Sequence, residues 1–83
     1  MEEDFSVAII TNETDGAVTV YLDYPEGEVD IMRLGPGESD STDFSHPQDS
    51  CSPATLIARD ASGTEVDRLE DEFCVDDRWE IGG

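Results

Sequence analysis

The chain has 83 residues, with 22 carboxylates, four arginines and no lysine, for a formal net charge of −18. A chain this short makes one domain, and it hides only about 60% of the surface that its unfolded form exposes. Four arginines cannot offset such a field, which excludes a protein that binds nucleic acid directly, and no apolar run approaches the roughly 20 residues of a membrane helix.

The opening residues Met1-Glu2-Glu3-Asp4 have neither the basic nor the apolar region of a secretory signal, so a complete chain is expected in the cytoplasm. Residues 5–11 alternate Phe5, Val7 and Ile9 with smaller residues, which predicts a strand burying those three. Asn12-Glu13-Thr14-Asp15-Gly16 is turn chemistry. Residues 17–24 predict a second strand, with Val18, Val20, Leu22 and Tyr24 on one face and Thr19, Tyr21 and Asp23 on the other. Pro25-Glu26-Gly27 breaks the chain. A third strand follows from about Glu28 to Leu34, with an irregular apolar pattern. In Leu34-Gly35-Pro36-Gly37-Glu38-Ser39, Pro36 presets φ at the second turn position and Gly37 supplies positive φ at the third, which predicts a type II turn. A short polar strand is expected near Ser41 to Ser45 with Phe44 turned inward, and then a loop from His46 to Ser50.

The segment from Cys51 to Cys74 reads as a hairpin about Asp60-Ala61-Ser62-Gly63. Leu56, Ile57 and Ala58 precede the turn; Val66 and Leu69 follow it. Asp first and Gly fourth suit a type I turn closed by a glycine bulge, so Asp60 should face Thr64. Cys51 and Cys74 are almost equidistant from that turn and should meet at the open end of the hairpin. A disulfide there would close a loop and stabilise the fold by about 3 kcal/mol on the chain-entropy argument. Two thiols packed as small hydrophobes are the alternative. The acidic connection Glu70-Asp71-Glu72 leads to a last strand near Arg78 to Ile81 and then to Gly82-Gly83. No segment carries a helical period with start and stop signals. The whole predicts an all-β fold: a small antiparallel sandwich or barrel of about six or seven strands, in a single domain over residues 1–83.

The chemistry-bearing residues are sparse. His46, Cys51 and Cys74 match no standard zinc spacing. His46 paired with a cysteine as base and nucleophile competes with a plain loop histidine beside Pro47. Asp40-Ser41-Thr42-Asp43 lacks the twelve-residue calcium loop. Asn12-Glu13-Thr14 is formally a glycosylation acceptor but reads as a turn. Trp79, Tyr21 and Tyr24 form either an exposed aromatic patch or parts of the core. No catalytic residue, metal or cofactor is expected. The charge has two readings, either a coat that keeps the protein soluble in concentrated salt or a mimic of nucleic acid that blocks a basic site. Carboxylates in nearly every loop and polar strand face favour the coat. The expectation is a small acidic non-enzymatic binding or accessory module, adapted to concentrated salt and open to a protein partner.

Two resemblances add to this. Asn12-x-Thr14, Val18-Thr19-Val20 and Leu34-x-Pro36-Gly37-x-Ser39 form a pattern similar to that of small uncharacterised β-sandwich proteins of high-GC prokaryotes. In those proteins too, one cysteine precedes the last hairpin and another precedes a terminal Trp strand. This resemblance implies an immunoglobulin-like topology and carries no function. Trp79-Glu80-Ile81-Gly82-Gly83 resembles the end of sulfur-carrier and ubiquitin-like proteins, which have a β-grasp fold with a helix. That resemblance implies a modifier or sulfur carrier in which Gly82 and Gly83 form a reactive tail.

Overall fold

The structure, a computed structural model, describes residues 8–42, 51–52, 54–71, 73–74 and 77–83. Seven strands carry them: β1 Ala8–Asn12, β2 Val18–Tyr24, β3 Gly27–Leu34, β4 Ser39–Thr42, β5 Thr55–Asp60, β6 Glu65–Leu69 and β7 Arg78–Ile81. They form a three-stranded sheet in the order β4-β1-β7 and a four-stranded sheet in the order β3-β2-β5-β6. The fold is thus the small all-β sandwich expected. In immunoglobulin lettering, β6-β5-β2-β3 follows the order G-F-C-C′, and β1-β4 is the B-E pair. β7 takes the side of β1 that strand A would occupy, but it runs parallel to β1, pairing Ile9 with Arg78 and Asn12 with Ile81. All the other strand pairings among the described residues are antiparallel.

One cluster joins the inner faces of the two sheets. Ala8, Ile10, Trp79 and Ile81 from the three-stranded sheet meet Val18, Val20, Leu22, Leu34, Leu56 and Ala58 from the other, together with Phe73. The alternation predicted for β2 holds along its length, with Tyr24 packed at the rim of the cluster. In β1 the phase is the reverse of that expected. Ala8, Ile10 and Asn12 point inward and Ile9 points out, while Phe5, Val7, Phe44 and Val75 lie outside the described residues. The reason lies at the end of the strand. Asn12 is fully buried because its amide is needed inside, and a period of two then turns Ile10 and Ala8 inward with it.

The irregular third strand has a cause. Its register against β2 shifts between Val20 and Tyr21, where Val20 pairs with Met32 and Tyr21 with Asp30, so Ile31 is an extra residue. This bulge reverses the alternation halfway along β3. A second shift at Ala58/Arg59 makes Val66 the extra residue of β6, and Val66 is exposed although its side chain is apolar.

The turn predictions hold. Glu38 N donates to Gly35 O at 3.0 Å, and φ is +76° at Gly37. Gly63 N donates to Asp60 O at 2.9 Å, Asp60 N donates to Thr64 O at 2.9 Å, and φ is +90° at Gly63. Cys51 and Cys74 form a disulfide and an antiparallel bridge, with Cα atoms 3.8 Å apart.

Candidate binding face

The outer face of the four-stranded sheet gathers most of the recognition chemistry among the described residues. On β2 it presents Thr19, Tyr21 and Asp23. Register places Arg33, Asp30 and Glu28 beside them on β3, and Arg59, Ile57 and Thr55 on β5. Arg68 of β6 lies opposite Ile57. Three of the four arginines therefore share this face. Ile57 is buried here, only 1% exposed, although it stands outside the main core. Its neighbours in register are Tyr21 on one side and Arg68 on the other. Successive residues of a strand face opposite ways, so Ile57 is covered on the far side of the sheet from Leu56 and Ala58 joins Leu56 in the core.

Two of these arginines are already engaged. Arg59 holds Glu28 in a two-pronged pair, Nη2 to Oε2 at 2.6 Å and Nε to Oε1 at 3.0 Å. The pair spans β2 diagonally, with Tyr21 between its two ends in register. The hydrogen bond from Arg59 holds the Glu28 carboxyl below the usual carboxylate range, and Glu28 in turn raises the Arg59 guanidinium. Arg68 binds Glu65 in the same two-pronged way, at 3.0 and 3.1 Å, and lies 3.5 Å from Glu70. Its hydrogen bonds lower the Glu65 carboxyl. Pairs as exposed as these contribute little stability, but they fix where the cations sit.

Arg33 is different. Its guanidinium makes no hydrogen bond or ion pair among the described residues. It lines a groove of about 220 Å³ with Ala17, Thr19, Tyr21, Asp60, Ala61 and Gly63. On the Asp60 side the groove is walled by a turn that is hydrogen-bonded throughout. Asp60 Oδ1 accepts from Ser62 Oγ at 2.7 Å and from the Ser62 and Thr64 amides at 3.0 Å each. The Ser62 hydroxyl above all, then the Thr64 amide, hold the Asp60 carboxyl below its ordinary range. The face thus offers one uncommitted cation, two hydroxyls and an aromatic ring against a fixed wall. That chemistry suits recognition of a polar or acidic group.

The other predicted sites fall elsewhere. Cys51 and Cys74 are bonded to each other, so neither is a thiolate ligand or nucleophile, and no cysteine among the described residues is free. His46 and Asp43 lie outside the described residues. Asp40, Ser41 and Thr42 form part of strand β4 rather than a loop, and no group of three or more metal-binding side chains gathers among the described residues. Trp79 is in the core and Tyr21 is on the outer face, so the aromatic patch is not assembled.

Gly82 and Gly83 are exposed yet tied down. The Gly82 amide donates to Asp67 Oδ2 at 2.8 Å, Gly83 N donates to Glu80 O at 3.2 Å, and the Glu13 amide binds Ile81 O just before them. A side-chain carbon at Gly82 would come within 2.7 Å of Thr14 Cγ2.

Asn12 is the residue that sequence reasoning undervalued. Its Nδ2 donates to Gly16 O at 2.7 Å, Gly35 O at 3.0 Å and Leu34 O at 3.2 Å. Its Oδ1 accepts from the Thr14 amide at 2.9 Å and the Thr14 hydroxyl at 2.6 Å. Its backbone pairs with Glu38 O and the Gly37 amide, each at 2.8 Å. An amide so committed and so buried is closed to modification in the folded protein. The signal that could have located it was Asn two residues before Thr, followed by a second glycine turn downstream that needed an anchor.

No family model matches this chain, and no curated protein and no solved structure is similar enough to it to count as a match.

Proposed function

We propose that this chain is a small acidic binding module without catalytic activity, adapted to concentrated salt, whose partner-facing surface is the outer face of the four-stranded sheet. The observation that carries the salt reading is the spread of carboxylates. Asp15, Glu26, Glu38 and Asp71 occupy turns and connections, Glu28, Asp30 and Glu65 the edge strands, Asp23 one outer face and Glu80 the other. A mimic of nucleic acid needs its charges gathered along one track, whereas a coat needs them on every side. The choice of face follows from Tyr21 and Arg33 beside the groove, since tyrosine and arginine are enriched where proteins recognise each other.

Thermal melting across a salt series, paired with competition against nucleic acid for a basic protein, tests this reading. A net charge of −18 sits on a body with a radius of gyration of 12.8 Å. Folding brings those charges together, so screening must favour the folded state. The melting temperature should climb markedly into molar salt, and nucleic acid should be displaced no better by this chain than by a polyanion of equal charge. A domain that melts at one temperature in dilute and concentrated salt alike, and displaces nucleic acid specifically, would establish the mimic instead.

A further inference from the structure

Two opposite charges border one groove without pairing. Arg33 and Asp60 both line the groove of about 220 Å³, and no ion pair joins them. The topology keeps them apart. Arg33 lies on β3 opposite Thr19, Asp60 lies at the end of β5 opposite Val18, and β2 runs between them. Two strand spacings put the backbones of β3 and β5 about 9–10 Å from each other.

Each charge has capacity left over. The N–H donors of the Arg33 guanidinium are all free among the described residues. Asp60 Oδ1 takes all three hydrogen bonds that its side chain receives from the turn, and Oδ2 takes none among the described residues. Thr19 and Tyr21 also line the groove, and neither hydroxyl makes a hydrogen bond among the described residues.

We propose that this groove binds a short ω-amino acid, a zwitterion whose carboxylate meets Arg33 and whose ammonium meets Asp60, with its carbon chain across Thr19 and Tyr21. The charge of the whole molecule selects this class. A bare anion bound for Arg33 must approach a body of net charge −18 and settle beside the Asp60 carboxylate. A bare cation has 22 carboxylates to choose from and no reason to prefer this one. A molecule that carries both charges gains at both walls, and being neutral overall it is not repelled by the coat. Size narrows the class further. The groove is smaller than the roughly 300 Å³ at which sites for drug-sized ligands begin. At about 30 Å³ per water it holds the equivalent of about seven waters, which is a short carbon chain with its two end groups. The turn fixes Asp60 before any ligand arrives, so little ordering is needed on that side. Contact ion pairs at about 2.8 Å lie within the Debye length of about 3 Å at 1 M, so concentrated salt weakens such binding without abolishing it. This inference deepens the binding reading and rests on its choice of face.

The test is a nuclear magnetic resonance titration of the isotope-labelled full chain, in the lowest salt at which far-UV circular dichroism shows it folded. The probes are γ-aminobutyrate and ε-aminocaproate, with butyrate and butylamine as controls that each lack one charge. The amides of Thr19, Tyr21, Arg33 and Gly63 should shift and saturate with a Kd of about 1–10 mM for at least one probe. Butyrate and butylamine should bind about tenfold more weakly. Arg33→Gln and Asp60→Asn should each weaken the zwitterion by about the same factor. Arg78→Gln removes the same charge from the other sheet and should bind as the wild-type chain does. Should Asp60→Asn fail to fold, Arg33→Gln carries the comparison alone, because Arg33 is exposed and holds nothing in place. No saturable shift with either probe overturns the inference, and so does an equal loss in Arg78→Gln. Butylamine bound as tightly as the zwitterion marks general cation binding by the coat and overturns it too. Butyrate bound as tightly at the same amides overturns the zwitterion but leaves the outer face as a site for acidic groups. Shifts confined to the other sheet overturn both the zwitterion and the choice of face.

Discussion

The two ends of the sandwich are closed by different means. At one end lie the close of β1, β3, β5 and β7 and the start of β2, β4 and β6. Every connection there is short, and a single side chain, Asn12, joins the turn after β1 to the turn after β3. Asp60 organises the β5–β6 turn at the same end, and Asp67 fixes Gly82. At the opposite end β4 and β5 are separated by residues 43–54, and β6 and β7 by residues 70–77. The Cys51–Cys74 disulfide ties those two longer connections to each other. Hydrogen bonds suffice where the chain returns within a few residues, because little entropy is lost in closing a short loop. A covalent tie helps most where longer segments must be brought together, since closure cost grows with loop length.

Removing Asn12 is the sharpest way to break the first end. Asn12→Ala deletes the acceptor of the Thr14 amide and the donor to three carbonyls, and the side chain it removes is itself fully buried. Leaving several buried or part-buried polar groups unpaired should cost about 4 kcal/mol. For a domain this size that lowers the melting temperature by roughly 16–30 °C. Hydrogen exchange should quicken first at the Thr14, Gly37 and Glu38 amides. Protection lost uniformly along the chain would mean that Asn12 acts on global stability and is not a clamp of that end.

Reduction addresses the opposite end. Opening the Cys51–Cys74 bond frees the unfolded chain from a closed loop with a sequence separation of 23, worth about 3 kcal/mol. Melting with and without a thiol reductant should differ by roughly 12–24 °C, and the early exchange should now fall on Ser52 and Asp77, whose amides are bonded to Phe73 and Cys74 carbonyls. Equal melting in the two conditions would make the bond a spectator of a fold that the hydrogen-bonded end already secures.

This contrast also explains what could be read in advance. The Pro36-Gly37 and Asp60–Gly63 turns were legible because their chemistry is local: four or five consecutive residues contain the whole cause. The meeting of Cys51 and Cys74 followed from the second of those turns, since a fixed turn sets the register outward. The outer placement of Tyr21 followed from the alternation of β2. Asn12 was not legible as a core residue, because its partners at Leu34 and Gly35 are more than twenty positions away. The phase of β1 was lost with it. Nothing local marks β7 as parallel, since its partner is the first strand described. Arg33 lies beside Thr19 and Tyr21 only because of the Ile31 bulge, so the groove could not be assembled from sequence spacing alone.

The smallest effect lies at the hydrogen-bonded end and is seen best in its dependence on pH. Asp60 is held below its ordinary pKa by the Ser62 hydroxyl first and the Thr64 amide next. Because the folded value lies below the unfolded one, Asp60 stabilises the fold fully above the unfolded value of about 3.9. That contribution is lost as pH falls through the lowered folded value. The raw melting curve of the protein will hide this. As pH falls, the other carboxylates take up protons and relieve repulsion among 22 acidic groups, which acts in the opposite direction. Glu28 and Glu65 also have lowered values and lose their contributions with the same sign as Asp60. The difference between the wild-type chain and Asp60→Asn cancels these shared terms, because the two chains differ only in the group under test. Asn keeps an oxygen for the Ser62 and Thr64 donors but not the charge that strengthens those bonds. The wild-type advantage should therefore be constant above about pH 5 and shrink steadily below about pH 4. An advantage that persists unchanged to about pH 2 would show that the geometry of the turn, and not the ionised carboxylate, is what the hydrogen bonds of this end depend on.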